Sequence, residues 1–250
     1  MEDLDAFVEE LLNGLAALPE ERMRLDFLGR RLGTIGPEDA ARCLDEIYRA
    51  GPQPRNRIAR ATLVDHDGLK GIIGQDSYRR ISDAAVRLGL KKVARLFSDL
   101  RPVKAGPAGY DKEEEAAMEF ISLGRRRSLA RSRIKDTIDR LLSDPDPVVV
   151  ANLLNNPRMT EKEVLKIASK RPGSPAILKL IVGHRVWSKR YDVVKAVVMN
   201  PYAPPKVSVA LLEFLLTQDL KVLSEDRNVH PAVRQGAHEL LAQRGAGERH

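Results

Sequence analysis

The sequence predicts an all-α protein, in which a right-handed α-solenoid of short helical hairpins follows an N-terminal helical domain. Apolar residues recur at helical spacing along much of the chain, and four apolar segments that each begin with proline recur at similar intervals. Aromatic residues make up 4% of the chain and charged residues 31%, a balance typical of stacked Leu, Val and Ala helices rather than of a β-sandwich.

Helices separated by Gly and Pro are predicted for the N-terminal domain, residues 1–102. Residues 5–18 place Leu at helical spacing, and Pro19 ends that helix. Pro37 opens another helix, which runs to about Arg49, because a first helical residue needs no hydrogen-bonded N–H.

The second half of the chain contains an internal repeat of two helices. Its first helices begin with proline at positions 147, 175, 205 and 231, so the intervals are 28, 30 and 26 residues. A second helix is predicted 12 or 13 residues after each of the first three prolines, with an N-cap at Thr160, Ser188 and Thr217. Thr160 and Glu163 also have the spacing of a capping box.

These helices predict four segments along the chain. The N-terminal domain is followed by a linker at 103–110, a helical-repeat domain at 111–243 and a disordered tail at 244–250.

The repeat resembles the bacterial leucine-rich repeat variant, a HEAT-like family. The resemblance covers about residues 143–243 and rests on the sequences around Asp144-Pro145-Asp146-Pro147, Asn156-Pro157 and Asn200-Pro201. It implies a curved solenoid with a binding surface and no particular chemistry. The period here is longer and less regular than in that family, and the cysteine cluster of some members is absent, so no iron–sulfur role is implied.

Positive charge is concentrated in two parts of the chain. The net charge is +7, yet residues 1–50 carry −6, whereas residues 51–105 and 151–200 each carry +7. In the repeat, Lys and Arg recur at intervals of four residues, which places them on one face of a helix. Ile134, Ile138 and Leu141 are predicted to mark the core face of the helix that carries the first such stripe.

We therefore interpret the second-type helices as a candidate site for an anionic partner. Its residues are Arg125, Arg126, Arg127, Arg131, Lys135, Lys162, Lys166, Lys170, Arg185, Trp187, Lys189 and Arg190. Nucleic-acid phosphates, an acidic protein or anionic lipid headgroups would each match such a patch. The alternative is a solvated face that keeps the protein soluble. Trp187 has two interpretations as well, a stacking or hot-spot residue and a side chain that covers the neighbouring hairpin.

Candidate catalytic groups are few. Asp65-His66-Asp67 lies in a predicted turn, where adjacent side chains point in different directions and do not form a metal site. Cys43 is the only cysteine and is predicted to be a small core residue, in keeping with a reducing cytoplasm. We expect no cofactor, no metal and no transmembrane segment.

The function that this sequence predicts is a non-enzymatic, cytoplasmic scaffold or adaptor that binds a protein partner on the solenoid surface. The main alternative is a nucleic-acid-binding protein that uses the basic ribbon. Some HEAT-like proteins are DNA glycosylases for alkylated bases, but none of their catalytic residues can be matched here. The sequence does not predict an oligomeric state.

Overall fold

The computed structural model describes residues 2–51, 53–105 and 121–247, and this part of the chain is helical without a β-strand. It divides into two compact units: the first comprises residues 1–100 and Pro205–Leu211, and the second comprises the remaining residues. Residues 106–120 and 248–250, which include parts of the predicted linker, repeat domain and tail, lie outside the described residues. The predicted domain limits therefore remain predictions.

Eight helices form the described part of the first unit. They are α1 (Glu2–Ala17), α2 (Glu21–Gly33), α3 (Pro37–Arg49), α4 (Pro54–Thr62), α5 (His66–Ile73), α6 (Gln75–Arg87), α7 (Lys91–Leu96) and α14 (Pro205–Leu211). The predicted helix that begins at Pro37 and ends at Arg49 is confirmed.

The core of the first unit consists of aliphatic side chains that their helices place on one face. Leu11 and Leu15 of α1 and Leu44 of α3 are fully buried. Arg60 of α4 satisfies carbonyls at the end of α3, since its guanidinium donates to the Ile47 carbonyl oxygen at 3.1 Å and also to that of Ala50.

Helix α14 joins the first unit although more than 100 residues separate it from Leu100. Its seven residues are buried, and it packs against α7 and α4. The Lys206 ammonium lies 3.2 Å from a carboxylate oxygen of Asp67 and 3.2 Å from one of Asp99. These ion pairs compensate the charge of a lysine side chain that is only 9% exposed.

The second unit contains eight further helices. They are α8 (Leu123–Leu129), α9 (Lys135–Leu141), α10 (Pro147–Leu154), α11 (Glu161–Ser169), α12 (Pro175–Val182), α13 (Tyr191–Val198), α15 (Thr217–Glu225) and α16 (Pro231–Gly247). Helices α10, α12, α14 and α16 each begin with the proline that predicted them.

Helices of the second unit contact both their immediate and their next-but-one neighbours. Helix α10 contacts α8 and α12, and α11 contacts α13, while α12 also packs against both α11 and α13. The sequence explains this arrangement, because α10 buries Val149, Val150, Leu153 and Leu154 on one side and leaves the other side to solvent.

Only one of the three predicted N-caps is correct. The backbone N–H of Thr160 donates to the Glu163 carboxylate at 2.7 Å, as the capping box requires. Ser188 instead lies inside a 3₁₀ turn, and Arg190 precedes α13. Thr217 is the first residue of α15, one position after its N-cap.

Candidate interaction surface

Helices α8 and α9 show that the first predicted basic stripe does not exist as one face of one helix. The chain leaves helical geometry between Leu129 and Lys135, so Arg127 and Lys135 belong to different helices and Arg131 lies between them. Ile138 and Leu141 are fully buried as predicted, whereas Ile134 is 65% exposed and was wrongly assigned to the core.

Two arginines of α8 form ion pairs with acids that precede α10. Arg126 lies 3.4 Å from the buried carboxylate of Asp144, and Arg127 lies 3.4 Å from that of Asp146. Burial raises the pKa of Asp144. Burial also acts to raise the pKa of Asp146, but hydrogen bonds from the Val149 N–H and from Arg127 outweigh it and hold that pKa below its usual value.

Asp146 fixes the start of α10 as well. Its Oδ1 accepts hydrogen bonds from the backbone N–H groups of Val148 at 3.0 Å and Val149 at 2.9 Å, which is N-capping. Arg127, through its ion pair with Asp146, thus contributes to the position of α10 rather than to an open charged face.

Lysines of α9 and α13 are paired in the same way, with acids of α11 and α15. Lys135 bonds to Glu163 of α11, and Lys195 of α13 lies 2.7 Å from Asp219 of α15. Burial acts to raise the pKa of Glu163, but several interactions together lower it to about 2, and the hydrogen bond from Lys135 is the largest of these. Arg190 is 3.9 Å from Glu161.

The second predicted stripe, on α11, is partly exposed and partly structural. Lys162 and Lys166 are exposed, and within the described residues neither ammonium has a hydrogen bond or an ion pair. Lys170 follows the last helical residue, and its Nζ donates to the Ser143 carbonyl oxygen at 2.6 Å. Only the first two of these lysines present an open charge.

Trp187 is a buried side chain in this structure. It is 7% exposed, its indole Nε1 donates to the Leu154 carbonyl oxygen at 2.9 Å, and its ring stacks on His184 with centroids 6.0 Å apart. The indole therefore covers the end of α10 and is not available to stack on a base. Its neighbours Arg185 and Lys189 are exposed.

A surface that the sequence analysis identified only in part, through Arg125, Arg131 and Arg185, lies on α8 and α10, on the residues that follow each of them, and on the loop 183–186. We call it the α8–α10 face and define it by its exposed or partly exposed residues: Leu123, Arg125, Arg131, Val148, Asn152, Asn155, His184, Arg185 and Val186. Arg131 donates to Asn152 Oδ1 at 3.3 Å, and Asn152 donates to the Arg127 carbonyl oxygen at 3.2 Å. His184 lies 3.4 Å from Asn155 Oδ1.

The α8–α10 face has an unusual composition that the sequence could have revealed. Residues 120–135, 147–160 and 164–191 contain no Asp or Glu. A count of acidic residues in each helix would have distinguished α8 and α10, which have none, from α11, which contains Glu161 and Glu163. A search for cations alone does not make that distinction.

Two buried asparagines, one after α10 and one after α13, make the same kinds of hydrogen bond. Asn156 donates to the carbonyl oxygens of Ala130 at 2.8 Å and Ser132 at 2.7 Å, and its Oδ1 accepts from the Arg158 N–H. Asn200 donates to the carbonyl oxygens of Ala168 at 2.8 Å and Lys170 at 3.2 Å, and accepts from the Tyr202 N–H. Each amide thus satisfies carbonyls at the end of an earlier helix.

A shallow cleft in the second unit has neither histidine nor cysteine among its lining residues. It encloses about 300 Å³, including space open to solvent, and is lined by Leu142, Asp144, Pro145, Ile167, Lys170, Gly173, Ser174, Ile177 and Leu178. Lys170 already donates to the Ser143 carbonyl oxygen.

In the first unit, His66 is a core residue and not part of a turn. Asp65 caps α5 by accepting from the Gly68 N–H at 2.9 Å, and His66 follows as the first helical residue. The His66 ring lies against Phe97, and Tyr78 Oη is 3.3 Å from its Nδ1. Burial, reinforced by the charge of Lys206, lowers the pKa of His66 to about 3.

The remaining groups with potential chemistry are inactive or dispersed. Cys43 is fully buried, and burial raises the pKa of its thiol to about 12. Among the described residues, His, Cys, Asp and Glu side chains nowhere gather in threes in a way that could hold a metal ion. None of the helices in the described ranges has both the length and the apolar character needed to cross a membrane.

Comparison of the chain with protein-family models, curated proteins and solved structures found no match.

Proposed function

We propose that this protein is a non-enzymatic scaffold, which binds a protein partner on helices of the second unit. In this proposal α8 to α13 form a short stack of the right-handed HEAT-like type that the sequence resemblance implies. The alternating contacts α8–α10–α12 and α11–α13 support it, and the hydrogen bonds of Asn156 and Asn200 connect helix ends within these two rows.

The pairing of the basic residues is the observation that carries the proposal. Arg126, Arg127 and Lys135 make ion pairs with acids of the next hairpin, and Lys170 binds a backbone carbonyl. These cations contribute to hairpin stacking. A nucleic-acid phosphate would have to displace a partner from each of them, so the ribbon is less suited to nucleic acid than its sequence suggested.

The first experiment measures binding of oligonucleotides to the full chain by fluorescence anisotropy between about 50 and 200 mM salt, the range over which phosphate contacts weaken markedly. A scaffold for proteins should bind duplex and single-stranded oligonucleotides weakly, and only at low salt. The charge-reversed variant Lys162→Glu/Lys166→Glu tests the two open lysines of α11. Lys170 is left unchanged because its contact with Ser143 belongs to the fold.

The second experiment identifies a protein partner by affinity capture with nuclease present, followed by reconstitution from purified components. A stoichiometric complex of the two purified proteins supports the scaffold. Micromolar or tighter oligonucleotide binding at about 200 mM salt, lost in Lys162→Glu/Lys166→Glu, would replace this proposal by the nucleic-acid alternative.

A further inference from the structure

We propose that the α8–α10 face is the docking surface of the second unit, and that it binds an acidic segment of a protein that also carries aliphatic side chains. This inference rests on the proposed scaffold function and specifies its partner.

Exposed aliphatic side chains are the first reason. Leu123 of α8 is 38% exposed, Val148 of α10 is 47% exposed and Val186 in the following loop is 39% exposed. Single exposed aliphatic residues are common on any protein surface. Here the hydrogen bond from Asn152 of α10 to the Arg127 carbonyl oxygen of α8 joins two of the elements that carry these side chains. The contact between His184 and Asn155 joins the loop 183–186 to the end of α10.

The charge of this face is the second reason. Within the described residues, the guanidinium groups of Arg125 and Arg185 have neither a hydrogen bond nor an ion pair, and the only side-chain partner of Arg131 is a neutral amide. Since residues 120–135, 147–160 and 164–191 contain no acid, the carboxylates of a partner would meet few like charges there. Asp144 and Asp146, the nearest acids in sequence to α10, are already paired with Arg126 and Arg127.

The side chains on this face favour a protein over a nucleic acid. Trp187, the largest ring in this region on which a base could stack, is buried and bonded to the Leu154 carbonyl oxygen. Aliphatic groups beside unpaired arginines instead match a peptide that alternates carboxylates with Leu, Ile or Val.

The dimensions set the size of the partner segment. Helix α10 has eight residues and is therefore about 12 Å long. The axes of packed helices lie about 8 to 10 Å apart, so a surface that crosses three neighbouring helices is about 16 to 20 Å wide. A helix of about 13 residues would span that width. We therefore expect the partner to contribute a short segment rather than a whole domain surface.

The test uses the full chain and a fluorescein-labelled 13-residue peptide with Leu at intervals of three or four residues and Glu between them. Two matched peptides replace every Leu by Ser or every Glu by Gln, and a single-stranded oligonucleotide carries the same number of negative charges. The first peptide should bind at least tenfold more tightly than the other three probes.

Matched variants locate the site. Arg125→Glu/Arg185→Glu should weaken the peptide at least tenfold, whereas Lys162→Glu/Lys166→Glu, which changes the net charge equally, should change affinity less than twofold. Val148→Ser should weaken it several-fold, whereas Val222→Ser, which alters a 55% exposed valine on α15, should not. Unchanged melting curves verify that each variant is folded.

Several outcomes would overturn the inference. Equal effects of the two charge reversals would indicate diffuse electrostatic attraction, and tighter binding of the oligonucleotide would indicate a nucleic-acid surface. Absence of peptide binding would also count against it. If a reconstituted protein complex persists unchanged in Arg125→Glu/Arg185→Glu and Val148→Ser, the scaffold function stands and this docking surface does not.

Discussion

The two units differ in how far along the chain their stabilising contacts reach. In the second unit, Asn156 to Ala130, Lys135 to Glu163, Asn200 to Ala168 and Trp187 to Leu154 span 26, 28, 32 and 33 residues. In the first unit the spans are unequal, since Arg31 to Glu10 spans 21 residues, Arg55 to Glu9 spans 46 and Lys206 to Asp67 spans 139.

This difference explains why one unit was easier to predict. A contact that recurs at about the length of a hairpin requires similar residues at a regular interval, and such an interval is visible in a sequence. Contacts that span unequal lengths of chain produce no regular interval in the sequence. The comparison predicts that equivalent changes in the second unit have equivalent effects, whereas the first unit depends on individual sites.

The largest effect is expected from charge in the core of α10. Val149 and Leu153 are fully buried, so Val149→Asp/Leu153→Asp should unfold the second unit, because two buried, unpaired carboxylates cost several kcal/mol together. Fluorescence of Trp187, the only tryptophan, and far-UV circular dichroism measure the loss. Val148→Asp is the matched control, since that side chain is 47% exposed. Native-like melting of the double variant would show that α10 is not core.

A smaller and equal effect is expected from the two buried asparagines. Asn156→Ala and Asn200→Ala each leave two carbonyl groups without their donor, which should lower the free energy of unfolding by about 2 to 3 kcal/mol in both variants. Urea unfolding followed by Trp187 fluorescence measures it. Asn155→Ala, next in sequence but exposed, should cost less than about 1 kcal/mol. Clearly unequal losses at 156 and 200 would show that the two amides do not contribute alike.

A pH-dependent effect of similar or smaller size is expected in the first unit. The pKa of His66 is about 3 in the folded protein, well below its ordinary value, so the unfolded chain binds the proton more readily. The contribution of His66 to the free energy of unfolding is therefore present above about pH 6.5, and it is lost as the pH falls from there towards 3. Between pH 7.5 and 5 the loss from this residue should be about 2 kcal/mol.

His66→Phe should remove that part of the pH dependence. The measurement is the difference in free energy of unfolding between the unmodified protein and the variant, obtained from urea unfolding at each pH. The groups around the ring are Tyr78, Phe97, Lys206 and Asp67, and they remain unchanged. Burial also lowers the pKa of His184 and His230, but both residues are present in both proteins and cancel in the difference. Parallel pH profiles would show that His66 titrates normally.

Local signals in the sequence predicted much of the helical structure. The prolines at 147, 175, 205 and 231 mark true helix starts, and Thr160 with Glu163 forms its capping box, because these effects depend on residues within one turn. Ser188 failed as an N-cap since the chain forms a 3₁₀ turn around Trp187, whose indole is held by Leu154.

The candidate site was less predictable than the helices. A pattern of Lys and Arg reports which face of a helix they share, but whether an acid of the next hairpin meets them depends on packing. Arg126 and Lys135 are paired for that reason, whereas Lys162 is not. The α14 helix has the same proline start as α10 and α12, yet nothing local indicates that it belongs to the first unit.

The position of α14 in the chain determines when the first unit can be completed during translation. When a ribosome has translated Leu100, the first unit still lacks the seven residues that pack on α7 and α4, and a further 111 residues must be added before Leu211 exists. At about 5 to 20 residues per second this takes roughly 5 to 20 seconds, during which Asp67 and Asp99 have no Lys206 to bind. Any product that terminates between residues 101 and 204 has an incomplete first unit with the α14-binding surfaces of α4 and α7 uncovered. Apolar surface that is left uncovered in this way favours aggregation, which chaperones counteract.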